Sequence, residues 1–251
     1  MSKKKNAALP ADAVALPAAG PTLKQAKKAL IRTAQAMCKA GLNRGTAGNL
    51  SLRWTEAGED GFLITPTGMD YAALKPRHIP LVRLADAGQA TPEQPEYGGA
   101  WAPSSEWRFH HDIYRQHPEA GAVLHAHSPF ATSLACLRLD IPPFHYMIAR
   151  FGGNSVRCAG YATFGTQALS DGALHALKGR TACLLANHGM LVFGRDLRQA
   201  LALGIELESL CEQYWRSCQL PYLALPALLS MSEMAEVMEK FQTYGQARPH
   251  A

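Results

Sequence analysis

The spacing of apolar and polar positions changes period several times along this chain, and each change predicts a different element. From Thr22 the apolar residues Leu23, Leu30, Ile31, Ala34, Met37 and Cys38 recur at helical intervals, with Thr22 as N-cap and Gly41 as the stop. Leu50-Ser-Leu-Arg-Trp54 alternates and Phe62-Leu-Ile64 is a short apolar run, so both predict strands, as does Ile79 to Leu84. Ala87 to Pro103 is rich in Gly and Pro and reads as loop. Ser104 or Ser105 caps a helix that carries Trp107, Phe109, His111 and Ile113 and ends before Pro118; Val123 to Ser128 is the next strand. Pro129 opens a helix through Leu134 and Leu137, Ile141 to Gly153 is irregular, and Phe164-Gly-Thr166 starts a helix to Lys178. Ala182 to Ala186 and Met190 to Phe193 form a short hairpin around Asn187-His188-Gly189. A long helix capped at Asp196 aligns Ala200, Leu203, Leu207, Leu210 and Tyr214 on one face, and Ser232 to Phe241 is a short amphipathic helix. Strands alternating with helices, with hairpins among them, predict an α/β fold of three layers, α/β/α, around a central mixed, largely antiparallel sheet.

Composition narrows the class. A length of 251 residues with 47% hydrophobic content suffices for one packed domain, expected over residues 22–251. Met1 to Pro21 is a basic Ala/Pro tract in which Pro10, Asp12 and Pro17 interrupt any apolar run, so a disordered tail is expected there. The formal charge is +5, of which Lys3, Lys4, Lys5 and Asp12 supply a net +2, leaving +3 for the remainder. That is too little for a nucleic-acid surface. No uncharged apolar stretch reaches the ~20 residues that cross a bilayer, so no membrane partner is expected. The six cysteines form no Cys-x-x-Cys pair and read as reduced residues of a cytoplasmic protein.

Chemistry concentrates around His125-Ala-His127. Alternate residues of a strand share a face, roughly 7 Å apart, which suits two imidazoles converging on one metal ion. Alone the pair is weak, since His-x-His also occurs on ordinary edge strands. Glu106, in Pro-Ser-Ser-Glu, and His188, in Asn-His-Gly, supply the carboxylate and the third imidazole that zinc takes from separated segments. Gly48-Asn49, Thr67-Gly68 and Ser104-Ser105 each offer small side chains and exposed N–H groups, the requirements of a phosphate bound without a Walker lysine. Each is an ordinary turn by itself; the third leads directly into Glu106. His110, His111, His117 and His175 lie in helical patterns and read as packing or solvent-facing residues.

Several segments carry a family resemblance: Gly41-Leu-Asn-Arg-Gly-Thr-Ala-Gly-Asn49, Leu63-Ile-Thr-Pro-Thr-Gly68, Pro103-Ser-Ser-Glu-Trp-Arg-Phe-His110, His125-Ala-His127, His145-Tyr-Met-Ile148, Tyr161-Ala-Thr-Phe-Gly-Thr166, His188-Gly189 and Lys240-Phe-Gln-Thr-Tyr-Gly245. In these the chain resembles the class II aldolase/adducin superfamily, most closely its L-fuculose-1-phosphate aldolases. The resemblance implies a Zn2+ ion on His125, His127 and His188, with Glu106 as both ligand and catalytic acid/base. It implies that Gly48, Asn49, Thr67, Gly68, Ser104 and Ser105 hold the substrate phosphate. It further implies a cyclic homotetramer in which Tyr146 of a neighbouring subunit handles the proton on the aldehyde side, while Phe164 and Tyr244, the latter on a mobile C-terminal segment, shape that end of the pocket. The reaction implied is reversible cleavage of a ketose 1-phosphate such as L-fuculose 1-phosphate to dihydroxyacetone phosphate and a short aldehyde. A methylthioribulose-1-phosphate dehydratase, a sugar-acid phosphate decarboxylase, a ribulose-phosphate 4-epimerase and a non-catalytic adducin-like module share the scaffold and stay open as alternatives. Departures from the pattern are the tail, an apparent insertion at Tyr97-Gly-Gly-Ala-Trp101, and Asn187 where the aldolases have a second histidine.

Overall fold

The computed structural model describes residues 20–56, 58–85, 91–219 and 224–243. Nearly all of the expected tail, and Tyr244, lie outside the described residues. The first half runs α1 (Leu23–Lys39), β1 (Asn49–Glu56), β2 (Glu59–Ile64), β3 (Leu81–Arg83), β4 (Tyr97–Gly98), α2 (Trp107–Gln116) and β5 (Ala122–Ala126). The second half runs α3 (Pro129–Ala135), a 3-10 helix (Tyr146–Phe151), β6 (Arg157–Ala159), α4 (Gln167–Ala176), β7 (Ala182–Leu185), β8 (Gly189–Gly194), α5 (Leu197–Cys218) and α6 (Met231–Thr243).

All eight strands join one sheet in the order β4-β3-β2-β1-β5-β8-β7-β6. Among the described residues only β6 and β7 pair in parallel; the other neighbours are antiparallel, as the alternating patterns and hairpins predict. Strand periodicity divides the core in two. Leu50, Leu52, Leu63, Leu124, Ala126, Leu184, Met190 and Val192 face α1, α3 and α5. Phe62, Ile64, Val123, Cys183, Leu185, Leu191 and Phe193 face α2 and α4. Each fully buried Leu, Val or Phe side chain contributes about 1.5–3 kcal/mol, so both faces are held strongly.

Local signals set the helix starts. Thr22 and Gln25 form a reciprocal capping box on α1, Thr166 accepts from Leu169 N–H on α4, and Asp196 accepts from Gln199 N–H on α5. Two expectations need correction. The N-cap of α2 is Glu106 rather than a serine, and Ser104 Oγ instead accepts the Glu106 N–H at 3.3 Å. The Gly/Pro-rich region read as loop contributes β4, which pairs Tyr97 with Val82 and Gly98 with Leu81 at the sheet edge.

Candidate active site

Three imidazoles and one carboxylate meet at the end of β5. β5 delivers His125 from its interior and His127 from the residue just past its end. His188 sits in the turn between β7 and β8, where Asn187 adopts a left-handed conformation (φ +55°). Glu106 arrives from the opposite layer at the start of α2. Two glycines allow the approach. A Cβ on Gly48 (φ +76°) would lie 2.6 Å from the His125 carbonyl oxygen, and one on Gly189 would lie 2.4 Å from that of Ala126.

One ligand atom from each of Glu106, His125, His127 and His188 lies within 4.8 Å of all the others. The three imidazole centroids are mutually 4.8 Å apart, and the rings are turned steeply to one another. Nε2 of His125 is 3.0 Å from Nε2 of His127 and 3.3 Å from Glu106 Oε2; Nε2 of His188 is 3.2 Å from Glu106 Oε1. His125 Nδ1–H donates to the Met190 carbonyl at 2.9 Å, which fixes the ring with its Nε2 turned into the cluster. Burial and the neighbouring His125 push His127 and His188 down to about 4, so both rings are neutral at pH 7. Burial alone would raise Glu106, but His125, His188 and the Asn49 amide hold its carboxyl down to about 2. Three imidazole nitrogens and one carboxylate thus converge at ligand-forming distances. The buried Glu106 Oε1 has no hydrogen-bond partner. A cation is what such a donor set accommodates, and three imidazoles with one carboxylate are a set that suits zinc.

The cluster opens on a pocket of about 310 Å³. Gly48, Asn49, Thr67, Gly68, Ser104, Ser105, Glu106, His127, His188 and Phe164 all line it, and fully buried His125 lies behind. The three donor loops predicted separately are tied together here. Pro66 bridges Pro103, Ser104 N–H donates to the Thr65 carbonyl at 3.1 Å, and Tyr71 OH donates to the Gly48 carbonyl at 2.8 Å. Ser104 Oγ accepts from both Asn49 Nδ2 and Glu106 N–H, so its own hydrogen is free to be donated. Tyr146 does not line the pocket: it is half exposed on the 3-10 helix, stacked on His145 with a centroid separation of 4.8 Å.

Sequence reasoning passed over three supporting residues. His110 is fully buried, with both ring nitrogens bonded, to Asn49 Oδ1 at 2.5 Å and to Ser51 Oγ at 2.7 Å. Asn43 Oδ1 accepts the His127 backbone N–H at 3.3 Å, and Tyr71 anchors the Gly48 loop. For His110 a signal exists: Glu106, His110 and Tyr114 recur every fourth residue and so share one face of α2.

An eight-stranded, mostly antiparallel sheet flanked by helices, carrying a cluster of three histidines and one carboxylate beside a donor-rimmed pocket, is the architecture of a metal-dependent class II aldolase. The sequence profile of the Class II Aldolase and Adducin N-terminal domain matches residues 28–215, and the chain belongs to that family. Its relatives are enzymes, and it is a lyase of the class II aldolase type. It is 51% identical over 216 residues to the 5-methylthioribulose-1-phosphate/5-deoxyribulose-1-phosphate aldolase of Rhodospirillum rubrum, covering 86% of this chain and 90% of that protein. It is 44% identical over 219 residues to the L-fuculose phosphate aldolase of Escherichia coli, covering 86% and 94%. A solved L-fuculose 1-phosphate aldolase superposes with a TM-score of 0.77 at 35% identity, covering 86% of this chain and 96% of that one. The expected likeness to L-fuculose-phosphate aldolases therefore holds, but a relative of higher identity is named for different sugars.

Proposed function

We propose that this protein cleaves, reversibly, a ketose 1-phosphate whose far end is apolar, giving dihydroxyacetone phosphate and a short aldehyde. The observation that carries the reading is the Glu106/His125/His127/His188 cluster opening on a pocket rimmed by phosphate-type donors. The sugars named for the relatives share a feature: 5-deoxyribulose and L-fuculose end in a methyl group, and 5-methylthioribulose ends in a thioether. Phe164 and Tyr161, both more than half exposed on the pocket wall, suit such an end. The higher identity of the Rhodospirillum relative favours 5-methylthioribulose 1-phosphate or 5-deoxyribulose 1-phosphate over L-fuculose 1-phosphate.

His125, His127, His188 and Glu106 would hold Zn2+. When bound, the ion supplies a Lewis acid that stabilises negative charge developing on the ketone oxygen. Gly48, Thr67, Gly68, Ser104 and Ser105 surround the phosphate, with the free Ser104 hydrogen donated to it and Asn49 orienting that hydroxyl. Cleavage breaks the C3–C4 bond: the C4 hydroxyl proton leaves, C4 becomes the aldehyde carbon, and C3 gains a proton. Glu106, the ionised carboxylate of the cluster, is the base that removes the C3 proton in the synthetic direction and, in reverse, returns that proton to C3 in cleavage. Tyr146, supplied by the neighbouring subunit of a homotetramer, takes the C4 hydroxyl proton; its exposure away from its own pocket supports that assignment. Phe164 and Tyr244 cover the aldehyde end. The six cysteines, all free in the structure, fit a cytoplasmic enzyme.

The test is to incubate zinc-loaded protein with 5-methylthioribulose, 5-deoxyribulose and L-fuculose 1-phosphates and to assay dihydroxyacetone phosphate. Product from at least one sugar is expected, abolished by chelation and restored by zinc, and Glu106→Gln assayed at saturating zinc should lose turnover. No dihydroxyacetone phosphate from any sugar, with zinc bound, would defeat the proposal; loss of water instead would identify a dehydratase.

A further inference from the structure

β1 and α2 lie against each other as two polar ladders of matched pitch. Along β1, Asn49, Ser51 and Arg53 share the face turned to α2, at roughly 6.7 Å per two-residue step. Along α2, Glu106, His110 and Tyr114 share the face turned to β1, at about 6 Å per four-residue step. The near match lets the side chains interleave. Asn49 Nδ2 donates to Glu106 Oε2 at 3.0 Å, Asn49 Oδ1 meets His110 Nε2 at 2.5 Å, His110 Nδ1 meets Ser51 Oγ at 2.7 Å, and Ser51 Oγ meets Tyr114 OH at 2.7 Å. Arg53 closes the far end, its guanidinium over the Tyr114 ring at 4.9 Å and bonded to the Tyr114 carbonyl at 2.6 Å. Asn49, His110, Ser51 and Tyr114 are each at most 2% exposed, so no bulk water can satisfy any of these atoms.

Valence fixes the direction of every bond. Asn49 Oδ1 can only accept, so His110 Nε2 carries the hydrogen. Nδ1 of the neutral ring is then a lone pair and must receive the Ser51 hydroxyl hydrogen. Ser51 oxygen in turn accepts from Tyr114 O–H. Burial and nearby His125 keep the His110 ring uncharged, its pKa pushed down to about 3. All bonds point one way, from Tyr114 through Ser51, His110 and Asn49 to Glu106. At the end of the chain the Asn49 NH2 serves both Glu106 Oε2 and Ser104 Oγ. Turning that amide over would aim its oxygen at the carboxylate and its NH2 at the His110 N–H, so the acceptor-only carboxylate and His110 together forbid it.

We propose that His110 is a positioning residue: through Asn49 it sets the direction of the hydrogen bond on Glu106 and so holds both that carboxylate and the Ser104 hydroxyl in their working orientations. This rests on Glu106 being a metal ligand. Groups that orient ligands in this way are worth about 10–100-fold in metal affinity.

Two measurements test it on the full chain. In long-range 1H–15N spectra of histidine-labelled wild type, His110 should be a neutral Nε2–H tautomer from pH 6 to 9; an Nδ1–H tautomer or a charged ring would overturn the proposal. In competition with a chromophoric chelator, His110→Phe, which keeps an aromatic ring among Phe62 and Phe109, should bind zinc about 10–100-fold more weakly. His110→Gln, whose amide nitrogen can replace Nε2–H, should recover most of that loss. Unchanged zinc affinity in folded His110→Phe would refute the positioning role, and if that variant does not fold, the wild-type tautomer decides. Wild type that takes up no zinc, with His110 in the Nε2–H form, would defeat the ligand reading alone.

Discussion

Glu208 on α5 offers a sharp test of how the His127 segment is held. Immediately after His127 the chain turns into α3, whose first residue, Pro129, has no N–H, so the open donors of that helix start are Phe130 and Ala131. Ser128 caps neither, because its hydroxyl is donated to Glu208 Oε2 at 2.6 Å. The Glu208 carboxylate accepts the Phe130 N–H on Oε1 at 2.8 Å and the Ala131 N–H on Oε2 at 2.9 Å. Glu208→Gln keeps one acceptor oxygen. Its best placement retains the Ser128 and Ala131 bonds as neutral ones, at a loss of roughly 0.5–1 kcal/mol each, and leaves Phe130 N–H facing an NH2, at about 1–3 kcal/mol. The expected destabilisation is therefore about 2–5 kcal/mol. Urea unfolding followed by circular dichroism measures it, with an unchanged m-value as the check that only stability moved. Glu212→Gln is the control: it breaks an exposed i,i+4 pair with Arg216 and should cost less than about 1 kcal/mol. If the two substitutions had equal effects, the capping role of Glu208 would be wrong.

Two further outcomes follow from single groups. Asp112 accepts from His111 at 2.9 Å, Gln167 at 2.7 Å, Ser170 at 2.6 Å and also from Thr91. Burial alone would raise its carboxyl, but these bonds hold it down to about 2. A depressed folded-state value means the stabilisation is complete above the ordinary aspartate range and fades as pH falls towards 2. The urea midpoint gap between wild type and Asp112→Asn should accordingly be wide at pH 6 and close by pH 2, and a gap constant with pH would contradict this. Gly48→Ala must place a Cβ 2.6 Å from the His125 carbonyl at φ +76°, so it should cost at least about 2 kcal/mol and lower zinc retention after dialysis. A variant with wild-type melting temperature and zinc content would show that the Gly48 turn can yield.

The parts of this protein legible in its sequence are those whose cause is local. Thr22, Thr166 and Asp196 announce their helices because a capping side chain reaches only its own first turn. His125 and His127 share a face because strand side chains alternate, whatever the strand pairs with. The Glu106, His125, His127, His188 set was legible as a list of ligand types, helped by family resemblance, and its convergence rests on pairing that no local pattern encodes. β1 lies between β2, its hairpin partner, and β5, about seventy residues further on, and this order brings Asn49 opposite His125. His110 shows the same boundary. As a histidine on an amphipathic helix it reads as packing or surface. Only the docking of α2 on β1 sets its two nitrogens between Asn49 and Ser51, because a helix ladder finds its matching strand ladder across fifty residues of chain through burial and hydrogen-bond satisfaction rather than through its own sequence.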